Sequence, residues 1–213
     1  MVEIIPSINV AAFEEVVRRI RISEPYVRTV HLDVADGTFT PQAVWHEARD
    51  LFDFKTPLAM ELHFMVGHPE EKIGPWLETP VSRIIFHLEA TREARFLIRA
   101  LRDAEKQVGI AIRPDTPWEE MLPYASDADL LQTLAVPPGP SGQVFDLATL
   151  EKIKALRARN PVLPIEVDGG VQVGIARECA HAGATILVVG ESLFSGPHPF
   201  EEMIRLLRED AAG

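Results

Sequence analysis

Three short stretches concentrate the side chains able to do chemistry. His31-Leu32-Asp33 sets an imidazole and a carboxylate two residues apart. Glu61-Leu62-His63 does the same in reverse order, with Met65 next along on the side of His63, and Asp168 is followed by Gly169-Gly170. Residues two apart in an extended strand point to one face, so His31 and Asp33 emerge together. If His31, Asp33, His63 and Asp168 converge, they offer two imidazoles and two carboxylates. That is a donor set for a divalent ion such as Zn, Fe, Mn or Co. The plainer alternative is that each is a strand-end residue hydrogen-bonded to its neighbour, because short motifs match by accident. Ser7, His87 and Gly190-Glu191 close three further apolar runs.

The elements that must position these residues alternate in texture. Short apolar runs of strand type lie at 4–8, 29–34, 58–66, 83–87, 108–112, 130–136, 164–167 and 185–189. Between them, helical periodicity appears at 11–22, 44–51, 69–77, 91–104, 117–124, 146–159 (with Asp146 as cap), 172–182 and 199–208. This alternation requires a parallel sheet with helices outside. Eight βα units are enough to close a barrel, whose active site lies at the carboxyl ends of the strands. An open doubly wound sheet is the alternative. The dinucleotide-binding form of it is weakened because no Gly-x-Gly-x-x-Gly follows the first strand. No linker or low-complexity segment divides the chain, so residues 1–213 are expected to form one domain.

Composition narrows the partners. Apolar residues make up 46% and charged residues 25%, the balance of a globule able to bury a core. The formal charge of −11 argues against nucleic acid, which needs a basic face. It leaves small anions open, since backbone N–H groups can hold a phosphate. Cys179 is the only cysteine, so an internal disulfide is impossible, and it is expected to be buried and inert. No basic segment opens the chain and no apolar run is long enough to cross a bilayer, so no signal peptide or membrane span is expected and a cytoplasmic location is. Trp45, Trp76 and Trp118 are assigned to packing. Arg92, Arg95, Arg99 and Arg102 recur at helical spacing as a solvated face, and Arg113 and Asp115 are placed near the pocket mouth.

Taken in order, PSI at 6–8, HLDVADGTFTP at 31–41, HFMV at 63–66, FHLEAT at 86–91, GQVF at 142–145 and VDGG at 167–170 resemble the ribulose-phosphate 3-epimerase family across nearly the whole chain. The resemblance implies a (β/α)8 TIM barrel that epimerises a ketose phosphate at carbon 3. It implies one divalent metal on His31, Asp33, His63 and Asp168, with Asp33 and Asp168 as paired acid and base. It places Ser7 and Met65 in the substrate pocket, with His87 lining it, and Gly139, Gly142, Gly169, Gly170, Gly190 and position 191 at its phosphate end. It also implies a homo-oligomer and a small sugar-phosphate substrate, D-ribulose 5-phosphate in the simplest case.

Five positions depart from the family pattern. Ala35 and Leu134 stand where methionines usually cap the metal site. The glycine-rich loop reads Pro138-Gly139-Pro140-Ser141-Gly142-Gln143 instead of Pro-Gly-Phe-Gly-Gly-Gln. Glu191 replaces a phosphate-binding serine. A carboxylate ~5 Å from a phosphate charge costs roughly 3 kcal/mol at an effective dielectric of ~20. That is on the order of a hundredfold in affinity. The expectation is that Glu191 turns to solvent, or that Ser192 takes over as donor. The alternatives are a hexulose phosphate or unphosphorylated ketose as substrate, or a barrel that binds sugar or metal without turnover.

Overall fold

The computed structural model describes residues 2–213. Eight strands, all paired in parallel, close into a barrel in sequence order, β1 meeting β8. The strands are β1 (Glu3–Ile8), β2 (Thr29–Val34), β3 (Ala59–Phe64), β4 (Arg83–His87), β5 (Gln107–Ile112), β6 (Leu130–Leu134), β7 (Ile165–Asp168) and β8 (Ile186–Val189). Outside them lie α1 (Phe13–Ser23), α2 (Pro69–Lys72), α3 (Gly74–Leu77), α4 (Ala94–Asp103), α5 (Thr149–Arg159), α6 (Ile175–Ala182), α7 (Glu191–Phe194) and α8 (Phe200–Ala212).

Both faces of each strand are buried, as a barrel wrapped in helices demands. One set of residues, including Val30, Leu32, Leu62, Phe64 and Ile84, packs outward against the helices. The alternate set points into the barrel, where Ile5, Ile85, Ala111, Leu130 and Ile186 form a separate apolar plug. In α4 the apolar residues Ala94, Leu97, Ile98 and Leu101 fall at i, i+3, i+4 and i+7 and are all buried, while Arg92, Arg95, Arg99 and Arg102 face solvent. Each fully buried leucine contributes roughly 1.5–3 kcal/mol. Trp45 packs between Phe13, 5.4 Å away, and Trp76, 5.6 Å away, so these indoles belong to the core. Cys179 is fully buried, and burial pushes its thiol up to about 12, which removes the thiolate at neutral pH.

The departures from the expected elements have local causes. The stretch 44–51 is helical only over Ala48–Leu51 and there as a 3₁₀ turn, because Val44 and Trp45 donate their backbone N–H groups to Ala35 and Val10. The stretch 69–77 splits into α2 and α3. Pro75 lacks an N–H and cannot continue the hydrogen-bond ladder of α2. The segment 117–124 is 3₁₀, with Pro123 inside it. Asp146 accepts the N–H of Ala148 in a turn one step early, and α5 starts only at Thr149. The single turn α7 was not foreseen, nor was the run of α8 to Ala212. Among the described residues no helix is long and apolar enough to cross a membrane.

Candidate active site

The strand register brings the chemistry-bearing residues into two stacked levels inside the barrel. Asp33 pairs with His63 and Leu134 with Asp168 at the carboxyl end; one step down, His31 pairs with Glu61 and Gln132 with Glu166. In the upper level, His63 Nδ1 lies 3.2 Å from Asp33 Oδ1 and 3.2 Å from Asp168 Oδ2. His31 Nε2 rises towards the same two carboxylates, at 3.7 and 3.8 Å. The Ser7 hydroxyl donates to Asp33 Oδ2 at 2.6 Å. One ligand atom from each of His31, Asp33, His63 and Asp168 lies within 4.8 Å of the others.

These residues suit a divalent metal. His31 Nε2 is buried without a hydrogen-bond partner, a costly state for an isolated polar atom. Yet it is aimed at the gap between two carboxylates, where a cation would satisfy it. The charges lean the same way. Burial disfavours the charged imidazolium of His31, but Asp33 and Glu61 outweigh it and hold its pKa well above the usual histidine value. Burial likewise opposes ionisation of Asp33, and the two histidines overcome it, holding the carboxyl below the usual range. Cations, whether protons or a metal, are strongly favoured at this point.

Sequence reasoning missed the lower level. Glu61, Glu166 and Gln132 are fully buried. Glu61 Oε1 is 2.7 Å from His31 Nδ1, and its Oε2 accepts from Arg83 at 2.6 Å. Glu166 accepts from Gln132 at 2.9 Å, and burial together with the nearby charge of Glu61 pushes its pKa well up. The signal was present: Glu61 precedes His63 by two residues and Glu166 precedes Asp168 by two, so each shares the inward face.

Above the cluster opens a cavity of about 350 Å³. Ser7, Asp33, Met65, Gly139, Gly142, Asp168, Gly169, Gly170, Gly190 and Glu191 all line it, as the sequence suggested, and Leu134 joins them. His31 and His63 lie beneath its floor, fully buried. Three carboxylates line the cavity and no Lys, Arg or His does, so an anionic group there would rely on backbone N–H groups and hydroxyls. Gly170, at φ +69°, lets the β7 turn press on the backbone of Phe145; a Cβ there would stand 2.5 Å from the Phe145 nitrogen.

Glu191 is exposed to solvent, as expected, but it also lines the cavity. It is the first residue of α7, with only Gly190 between it and β8, and its carboxylate leans onto Gly142. Ser192 lines the cavity beside it, its hydroxyl 3.4 Å from the Val171 carbonyl. Two expectations need correction. His87 does not line the cavity. It is buried behind His63, with the two Nε2 atoms 2.9 Å apart. Arg113 and Asp115 stay outside the cavity lining and pair with each other at 3.4 Å.

The sequence model of the ribulose-phosphate 3 epimerase family matches residues 3–194. A ribulose-phosphate 3-epimerase of rice (Oryza sativa subsp. japonica), described as the cytoplasmic isoform, is 32% identical over 210 residues, covering 96% of this chain and 90% of its own. The ribulose-phosphate 3-epimerase of Schizosaccharomyces pombe is 34% identical over 184 residues, covering 84% of this chain and 80% of its own. Among solved structures, 3-hexulose-6-phosphate synthase from Salmonella typhimurium superposes with a TM-score of 0.72 at 13% identity, covering 99% of this chain and 98% of its own, a likeness of fold alone. With a family match over most of its length and relatives above 30% identity, this chain belongs to the ribulose-phosphate 3 epimerase family of isomerases.

Proposed function

We propose that the protein converts D-ribulose 5-phosphate to D-xylulose 5-phosphate, with one divalent cation held by His31, Asp33, His63 and Asp168. The observation that carries this reading is the pair Asp33 and Asp168. They come from separate strands, β2 and β7, yet border one cavity directly above two buried imidazoles. Family membership supports the reaction class. Zn, Fe, Mn and Co all suit two imidazoles and two carboxylates.

Epimerisation at carbon 3 removes a proton beside the ketone and returns one to the other face. One aspartate takes the proton as the C–H bond breaks, and the electron pair passes into an enediolate. The other aspartate, protonated at the outset, donates to the opposite face of carbon 3, and in the reverse reaction the two exchange roles. When bound, a divalent cation supplies Lewis-acid stabilisation of the charge on the ketone oxygen, a contribution of several kcal/mol. Ser7 holds Asp33 in place through its 2.6 Å hydrogen bond. Met65 and Leu134 offer apolar cover near the reacting carbons. The backbone N–H groups of Gly139, Gly142, Gly169, Gly170 and Gly190 are the donors for the distal end of the substrate.

The test is proton NMR of D-ribulose 5-phosphate in D₂O with metal-loaded protein. Loss of the carbon-3 proton signal together with xylulose 5-phosphate is expected. Absence of exchange, with metal in the site, overturns the choice of substrate.

One observation favours a second reading, an unphosphorylated ketose. The Glu191 carboxylate over Gly142 places negative charge at the end of the cavity where the phosphate would sit. Comparing turnover of free and phosphorylated ketoses separates the two readings. Faster turnover of the free sugar selects the second.

A further inference from the structure

The two imidazoles of the cluster present opposite nitrogens. His31 directs Nε2 at Asp33 and Asp168, while its Nδ1 meets Glu61 at 2.7 Å. His63 directs Nδ1 at the same carboxylates, while its Nε2 meets His87 Nε2 at 2.9 Å. On the far side of that ring, His87 Nδ1 lies 3.3 Å from Glu89 Oε2. A neutral imidazole has one N–H and one lone pair, so whatever one nitrogen donates to decides what the other can do.

An ionised carboxylate only accepts. Glu61 therefore calls for the proton of His31 on Nδ1, which leaves the lone pair on Nε2. Glu89 calls for the proton of His87 on Nδ1. The His87 Nε2 lone pair then accepts from His63 Nε2–H, and the His63 lone pair is left on Nδ1. Both lone pairs end up facing Asp33 and Asp168. The carboxylates are anchored in turn. Glu61 receives Arg83 at 2.6 Å, and Glu89 receives the Arg113 backbone N–H at 2.7 Å and the Thr116 hydroxyl. Outer partners of this kind set ligand orientation and basicity in metal sites.

We propose that Glu61 and Glu89 are positioning residues. Glu61 acts directly on His31, and Glu89 acts on His63 through His87, so that each histidine offers the one nitrogen that faces the aspartates. The inference rests on the reading of the four residues as a ligand set.

The experiment measures zinc affinity by competition with a chromophoric chelator, and long-range ¹H–¹⁵N spectra of the zinc-loaded protein, for the wild type, Glu61→Gln and Glu89→Gln. Glutamine keeps the size but can donate as well as accept, so it no longer dictates the tautomer. In the wild type, His31 should carry its proton on Nδ1 and His63 on Nε2. Each variant should bind zinc ~10–100-fold more weakly. The histidine signals should separate by chain: Glu89→Gln perturbs His63 and His87 and spares His31, and Glu61→Gln does the reverse. A general loss of structure would not sort them this way. Affinities within twofold of wild type, or the opposite tautomers in the wild type, overturn the proposal. Glu89 is less buried than Glu61, so its variant keeps the test decisive even where Glu61→Gln does not fold. A wild type that binds no zinc, manganese or cobalt overturns the ligand-set reading instead.

Discussion

At the inner end of the cavity, each polar side chain stands on a strand and is held by another. Ser7 grips Asp33, Glu61 grips His31, His87 backs His63, and Arg83 anchors Glu61. At the outer end, residues 138–143 and Glu191 sit on the connections after β6 and β8, and their mutual contacts are few. Asn9 reaches the Gly139 carbonyl at 3.3 Å, Gln143 bridges the carbonyls of Pro137 and Pro140, and Glu191 leans on Gly142. The contrast separates two tasks. Proton transfer needs groups fixed within a fraction of an ångström, which neighbouring strands supply. In the proposed function, recognition of the substrate's far end falls to connections, where sequence can change without disturbing the barrel. The departures at residues 138–143 and 191 fall at that end, while the inner end departs only in the apolar cover at Ala35 and Leu134.

The largest effect should come from breaking the inner end. If the proposed roles hold, Asp33→Asn and Asp168→Asn each remove an acid–base group and a ligand, and epimerisation should fall by at least ~10³-fold. The NMR exchange assay reads this directly, and full activity in either variant would sink the acid–base assignment. Next comes the outer end. Glu191→Ser removes the charge over Gly142, and kcat/KM for the phosphorylated ketose should rise by about a hundredfold if a phosphate sits there. An unchanged value would mean that the substrate's charge never approaches Glu191.

Gly142→Ala sharpens the point. At φ +81° an added side chain is strained, and it also collides with the Glu191 carboxylate. A loss of stability of ~1–3 kcal/mol is expected for such a backbone position. Part of that loss should vanish in the Glu191→Ser background, as a denaturant double-mutant cycle would show. Equal losses in both backgrounds would place the Glu191 carboxylate elsewhere.

The smallest effect concerns pH. Burial opposes ionisation of Glu89, but His87, the Arg113 N–H and Thr116 overcome it and lower its pKa to about 2. A lowered carboxyl pKa stabilises the fold above the unfolded value, and that contribution is lost as pH falls from about 4.5 towards 2. Glu89→Gln should therefore destabilise the protein at pH 7 and by less than about half as much at pH 3, which urea titrations at the two pH values would resolve. A pH-independent difference would remove Glu89 from the ionised network.

Much of the inner end was legible in advance because its rule is local. Two-residue spacing puts His31 beside Asp33 on one face, and VDGG marks a strand end whose glycines make a tight turn. The same spacing puts Glu61 and Glu166 on the inward face, but nothing in one strand says which inward residue lies opposite which. That depends on register: His31 meets Glu61 because β2 and β3 align there, and Gln132 meets Glu166 because β6 and β7 do. Likewise, His87 looked like a pocket residue from its strand-end position. It is buried because His63 and Phe39 cover it, the Phe39 ring centred 4.8 Å away.

The alternation of apolar strands and amphipathic helices determined a parallel sheet wrapped in helices, and with it the strands that carry His31, Asp33, His63 and Asp168. Those are properties of short windows, set by side-chain period and by glycine and proline. Closure of the eight strands decided the rest. It set which nitrogen each histidine turns towards the aspartates, which buried carboxylate stands behind it, and that the exposed Glu191 carboxylate comes to rest over Gly142. Each of those contacts joins residues far apart in the chain, and only the packed backbone fixes the distance and direction between them.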